Sequence, residues 1–145
     1  MLQQLVDILH RENCSLVVYH SGEVTTYSQK GVRDLIWLLD HEPWRLSGSV
    51  VADKVVGKAS AALMVLGGVK EVYAQVLSRR ALPLLDDACL AYSYGELVDQ
   101  IVIPEGDTRC PLEQTVAEDT TPSEVEQSLR RHFAEMQQKK TLKQT

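Results

Sequence analysis

The residue types best able to do chemistry concentrate in one short stretch, Ala52-Asp53-Lys54-Val55-Val56-Gly57-Lys58. Asp53 follows an apolar run, GSVVA, and reads as the N-cap of a helix over residues 54–66. A helix start presents backbone N–H groups without intrahelical partners and carries a partial positive charge. Lys54 and Lys58, spaced i,i+4, then share one face of that helix. Two ammonium groups over such a start form a cradle for a small anion or a phosphate, with Asp53 capping the helix or orienting one lysine. The plainer alternative is a capped helix carrying two solvated lysines. Gly57-Lys58 is not a phosphate-binding P-loop. No glycine stands five residues earlier, and Ala59 occupies the place of the magnesium-binding Ser or Thr.

Cys110-Pro111-Leu112-Glu113 is the second candidate. Proline suits the first helical position, which leaves the N-cap to Cys110, and Glu113 can bond back to its amide. The helix end favours the thiolate of Cys110, while the Glu113 charge opposes it. The pair therefore reads either as a nucleophilic or redox-sensitive thiol or as a helix start that happens to use cysteine. The four histidines, His10, His20, His41 and His132, do not pair with metal-ligand partners at useful spacing. There is no C-x-x-C pair and no H-x-E triplet, so zinc-activated water is not supported and neither metal nor cofactor is expected.

The elements that must position these residues alternate between helix and strand. Leu2, Leu5, Val6, Ile8 and Leu9 form a helical stripe. Residues 15–20 and 23–27 read as a β-hairpin about Ser21-Gly22. Helical periodicity returns over residues 32–41, just ahead of Pro43. Residues 48–52 read as an interior strand, apolar on both faces. The next helix contains Ala59-Ser60-Ala61-Ala62, whose small side chains allow close approach to a sheet, and Gly67-Gly68 closes it. Strands over residues 69–77 and 90–94 flank a helix that Ser78 caps. Tyr92 and Tyr94 share a face of the latter strand. Residues 123–140 are helical in pattern, with Val125, Leu129, Phe133 and Met136 in one narrow stripe suited to docking. This order predicts an α/β layered domain. We divide the chain into a domain over residues 1–117 and a linker with a C-terminal helix and partly disordered tail over residues 118–145.

With 145 residues the chain suffices for one domain. Its formal charge is −5 and no basic stripe runs through the body, so nucleic acid is not an expected partner. No apolar run approaches the roughly 20 residues of a membrane helix. Three widely spaced cysteines, Cys14, Cys89 and Cys110, suit a reducing, cytoplasmic setting. Homodimerisation is compatible with the sequence, though no residue demands it.

The run VVADKVVGKASAALMVLGGVKEVYAQVLS, with SLVVYHSGEV before it and YGELVDQI and GDTRCPLE after it, resembles an uncharacterised bacterial family with a cytidine-deaminase-like fold. The resemblance covers roughly residues 1–117. It implies a three-layer α/β/α domain around a mixed sheet. In catalytic deaminases one helix start carries an H-A-E or C-A-E triplet and a later one carries P-C-x-x-C. Here those places fall around Gly57-Lys58-Ala59-Ser60 and Leu77-Ser78-Arg79-Arg80-Ala81, where the zinc ligands and the general-acid Glu are missing. The expectation is a non-zinc protein of this fold that binds a small anionic or nucleotide-like molecule at residues 53–58, with Asp53, Lys54, Lys58 and Glu113 as ligand-binding residues. The alternatives are a zinc-independent enzyme with Cys110 as nucleophile, or an interaction module acting through the C-terminal helix.

Overall fold

The computed structural model describes residues 2–29, 32–101 and 114–144, with side chains as far as Gln138. The elements are α1 (Leu2–Arg11), β1 (Leu16–His20), β2 (Glu23–Tyr27), α2 (Arg33–His41), β3 (Val50–Val56), α3 (Lys58–Gly67), β4 (Glu71–Ser78), α4 (Leu82–Asp87), β5 (Ala91–Val98) and α5 (Pro122–Gln144). Short 3-10 turns occupy Pro43–Arg45 and Arg79–Ala81. The strands form one mixed, open sheet in the order β2-β1-β3-β4-β5. β1 is antiparallel to β2 and β3, whereas β3, β4 and β5 run parallel.

Local chemistry explains most of these boundaries. His20 pairs with Glu23, leaving Ser21-Gly22 as a two-residue loop with both φ angles positive. That is the loop whose twist matches a hairpin. Gly68 ends α3 in the left-handed conformation, its N–H donating to the Met64 and Val65 carbonyls. Gly67 sits so close to Leu46 that an added Cβ would stand 2.8 Å from its Cδ1. Ser78 accepts a hydrogen bond from the Arg80 amide and so caps the turn after β4. At the start of α5, the Thr121 hydroxyl accepts from the Glu124 amide while the Glu124 carboxylate accepts from the Thr121 amide. This capping box, with Pro122 opening the helix, turns an apparent linker into a helix start.

Strand alternation divides the core between two faces of the sheet. Val17 and Ala52 pack under α1 with Leu5, Leu9 and Cys14. Leu16, Val18, Val51 and Val72 face the other way, into the main core with Leu35 and Leu38 of α2 and Leu63 and Met64 of α3. α3 is buried on every side from Ala59 to Met64. The small side chains at its start let it sit against the sheet, α2 and α4 together. Val125 and Leu129 of α5 are fully buried in this same core, so the first half of the C-terminal stripe docks on the chain's own α3.

The structure corrects the expected start of α3. Asp53 is not a helix N-cap, and residues 53–56 are strand. Asp53 pairs with Leu16 on one side and Ala74 on the other, and the parallel ladder continues to Val56 opposite Leu77. The helix begins at Lys58, with Gly57 as an extended N-cap that makes no side-chain hydrogen bond. Pairing on both sides outweighs the poor strand propensity of aspartate. Asp53 still makes the local bond typical of a cap, its Oδ1 accepting from the Val55 amide at 3.3 Å.

Candidate functional site

The correction separates residues that the sequence grouped. Successive strand residues point to opposite faces, so Asp53 and Lys54 diverge. Lys54 Nζ donates to Asn13 Oδ1 at 2.7 Å, at the open end of the α1 layer. Asp53 turns into the main core and is only 8% exposed. Lys54 and Lys58 therefore share no helix face.

Asp53 sits in a row across the sheet formed by Tyr27, Leu16, Asp53, Ala74 and Tyr94. Its immediate neighbours in that row are apolar. Burial pushes its carboxyl up to about 7, against the pull of the Val55 and Lys54 amides, and the charge of Asp34 adds to the rise. Asp34, in the first turn of α2, is buried too, and its Oδ2 accepts from the Gln29 amide at 3.0 Å. Burial likewise raises the Asp34 carboxyl. Neither the pairing of these acids nor the burial of Asp34 was read from the sequence. The available signal was an aspartate directly beside the core residue Leu35 in an amphipathic helix.

Lys58 lies elsewhere, at the carboxyl end of β3. It opens α3, and its Nζ donates to the Ala117 carbonyl at 3.2 Å. Arg80 lies in the turn at the carboxyl end of the neighbouring β4, with Nη2 donating to Gln100 Oε1 at 3.2 Å. Lys58, Arg80, Ala117 and Glu118 line one cavity of about 420 Å³. Such a volume lies within the range of small-molecule sites, roughly 300–1,000 Å³. In open α/β sheets, ligands bind in crevices outside the carboxyl ends of the strands. Two cations carried by separate connections stand beside a helix start whose N-cap supplies no side chain, and among the described residues lining the cavity Glu118 is the acidic one.

Arg80 and Glu118 were not singled out in the sequence. Arg80 carried a signal, since it follows the Ser78 cap immediately after a strand. Cys110 and Glu113 lie outside the described residues. Among the described residues, no group of three His, Cys, Asp or Glu side chains is arranged to hold a metal ion. Cys14 is buried, which raises its thiol, and Cys89 is exposed. Tyr92 donates to Asp86, and Tyr94 is exposed on the same strand face. Trp37 stacks on His41 at the outer side of α2, and Trp44 is exposed just beyond it. No helix among the described residues is long and apolar enough to cross a membrane.

The family model described as TM1506, domain of unknown function (DUF1893), matches residues 4–133, which includes most of the first turns of α5. No curated protein matches. The chain is similar to the crystal structure of a DUF1893 family protein (TM1506) from Thermotoga maritima, with a TM-score of 0.82 and 27% sequence identity. The likeness covers 90% of this chain and 88% of that one. With its matched segment running from α1 into α5, the chain belongs to the DUF1893 family.

Proposed function

We propose that this is a ligand-binding protein that takes a small anionic or nucleotide-like molecule in the cavity between the start of α3 and the turn after β4. The observation that carries the reading is the convergence of Lys58 and Arg80, from two neighbouring parallel strands, on one cavity at their carboxyl ends. The free N–H groups at the start of α3 would add hydrogen bonds to the anion. Glu118 would disfavour a bare, highly charged ion and leave room for a ligand that also carries a hydroxyl or amine donor. Asp53 and Lys54 drop out of the ligand set, because one is buried in the core and the other bonds Asn13 on the opposite face of the sheet.

The same reading includes a cytidine-deaminase-like fold. Its support is the strand order with β1 antiparallel to β3, together with helices on both faces of the sheet. In such a fold the two helix starts that hold zinc in a deaminase would correspond to the surroundings of Lys58 and Arg80. Those positions carry Lys, Ala and Ser in one case and Ser, Arg and Ala in the other, a donor set suited to anions rather than to zinc.

Calorimetric titration with inorganic phosphate and with a nucleoside monophosphate tests the proposal. Lys58→Ala and Arg80→Ala should each weaken binding at least tenfold, and Lys54→Ala should leave it unchanged. Equal affinities for all four proteins, or no binding by the wild type, would sink it.

A further inference from the structure

The cavity at the strand ends is lined from two distant parts of the chain. Lys58 opens α3 after β3, and Arg80 lies in the turn after β4. Ala117 and Glu118 belong to the segment that leads into α5. Among the described lining residues the two sides differ in chemistry. The strand side brings an ammonium and a guanidinium, which only donate hydrogen bonds. The other side brings the Ala117 carbonyl, which accepts from Lys58 Nζ at 3.2 Å, and the Glu118 carboxylate.

The segment carrying Ala117 and Glu118 has little slack. Val116, directly before it, is fully buried in the main core. The Ala117 amide donates to the Gln114 carbonyl and the Asp119 amide to the Val116 carbonyl, so a turn holds the two lining residues. The Thr121–Glu124 capping box follows at once and opens α5. Val125 and Leu129 then seat α5 against α3, the helix that Lys58 begins. Beyond them, Arg130 pairs with Asp40 at the surface, and Phe133 is only partly buried. A helix held by so few buried side chains belongs to the less stable part of a fold. If it lifts from α3, Ala117 and Glu118 leave with it and the cavity loses a wall.

Resting on the reading of this cavity as the ligand site, we propose that its ligand is a phosphorylated sugar whose anion meets Lys58 and Arg80 and whose hydroxyls donate to Glu118 and the Ala117 carbonyl, and that this bridge holds α5 on α3. A phosphate ion alone serves the cationic side and is repelled by Glu118. A sugar phosphate satisfies both sides at once. Because the bridge forms only when α5 is docked, binding and docking strengthen each other by the same factor.

Calorimetry and amide hydrogen exchange on the full chain, with ribose 5-phosphate and inorganic phosphate as probes, test the bridge. Saturating ribose 5-phosphate should raise protection of residues 125–133 at least tenfold, and inorganic phosphate should raise it less than threefold. Glu118→Gln should lower the affinity for ribose 5-phosphate relative to inorganic phosphate at least tenfold, without weakening inorganic phosphate. That opposite response is one a loss of folding could not produce. Ribose 5-phosphate binding that depends on Lys58 and Arg80 but leaves α5 protection unchanged would overturn the bridge while the site itself stood. An unchanged affinity ratio in Glu118→Gln would overturn it as well. No binding of either probe by the wild type would remove the site and the bridge together.

Discussion

Asp53 and Lys58 lie close together in the chain and belong to two regions that treat charge in opposite ways. On the covered face of the sheet, Asp53 of β3 and Asp34 of α2 are buried and accept hydrogen bonds from main-chain amides. At the carboxyl ends of β3 and its neighbour β4, Lys58 and Arg80 line a cavity with Glu118. The difference follows from position along a parallel strand. The interior of the ladder is covered by α2 and α3, so a charge there destabilises the fold or picks up a proton. At the carboxyl ends of β3 and β4 the chain turns out of the sheet, and the charged residues there line a cavity instead of the core.

The largest effect expected from this contrast is on stability. Asp53 rises from an ordinary value of 3.8 to about 7 on folding. An acid raised in this way binds its proton more tightly in the folded state. Its contribution is fully present below the unfolded value and is lost as pH rises through the folded value. The wild type should therefore lose up to about 4 kcal/mol between pH 4 and pH 8 from this group. Asp53→Asn should abolish that slope in urea-unfolding experiments. Asp40 and Glu124, held down chiefly by Arg130 and by Thr121, titrate in the opposite sense and at lower pH. A slope that survives in Asp53→Asn would place the titrating group elsewhere.

Next in size is the tail helix, which belongs to the covering of the first region. Leu129 is fully buried against the main core. Leu129→Ala should cost about 3 kcal/mol in the same unfolding measurement. A loss below about 0.5 kcal/mol would mean that α5 contributes little to the fold.

A smaller effect separates the second region from the first. Replacing Lys58 and Arg80 together by alanine should weaken phosphate binding about a hundredfold, or about 2.7 kcal/mol. It should leave the pH dependence of stability as it is in the wild type. A double variant whose pH slope also vanished would merge the two regions into one electrostatic unit. The smallest effect belongs to Lys54→Ala. Its exposed bond to Asn13 should be worth less than about 0.5 kcal/mol in stability, and its removal should not change anion affinity.

Much of the frame was legible in the sequence because its signals are local. The Ser21-Gly22 hairpin, the stripe of α1, the periodicity of α2 and the glycine end of α3 each rest on turn chemistry or on side-chain spacing. The start of α3 was not legible, for an instructive reason. Asp53 has the chemistry of a cap and makes a cap-like bond to Val55. Whether a helix follows depends on pairing with β1 and β4, residues distant in the chain. The alternation along β3 is also misleading at this point. Val51, Asp53 and Val56 are buried while Val55 is exposed, so the burial pattern slips by one residue beyond Asp53. The cavity has the same origin. Lys58 was visible as a basic residue near a helix start. Its association with Arg80 exists only because β3 and β4 are adjacent and parallel.

We propose that anion recognition lies at the strand ends and excludes the middle of β3. Titration of isotopically labelled protein with inorganic phosphate, followed by amide chemical shifts, tests it most directly. The account predicts progressive shifts at Lys58, Ala59, Ser60 and Arg80, with Lys54 and its partner Asn13 unmoved. Shifts centred on Asn13 and Lys54, with the start of α3 silent, would contradict it.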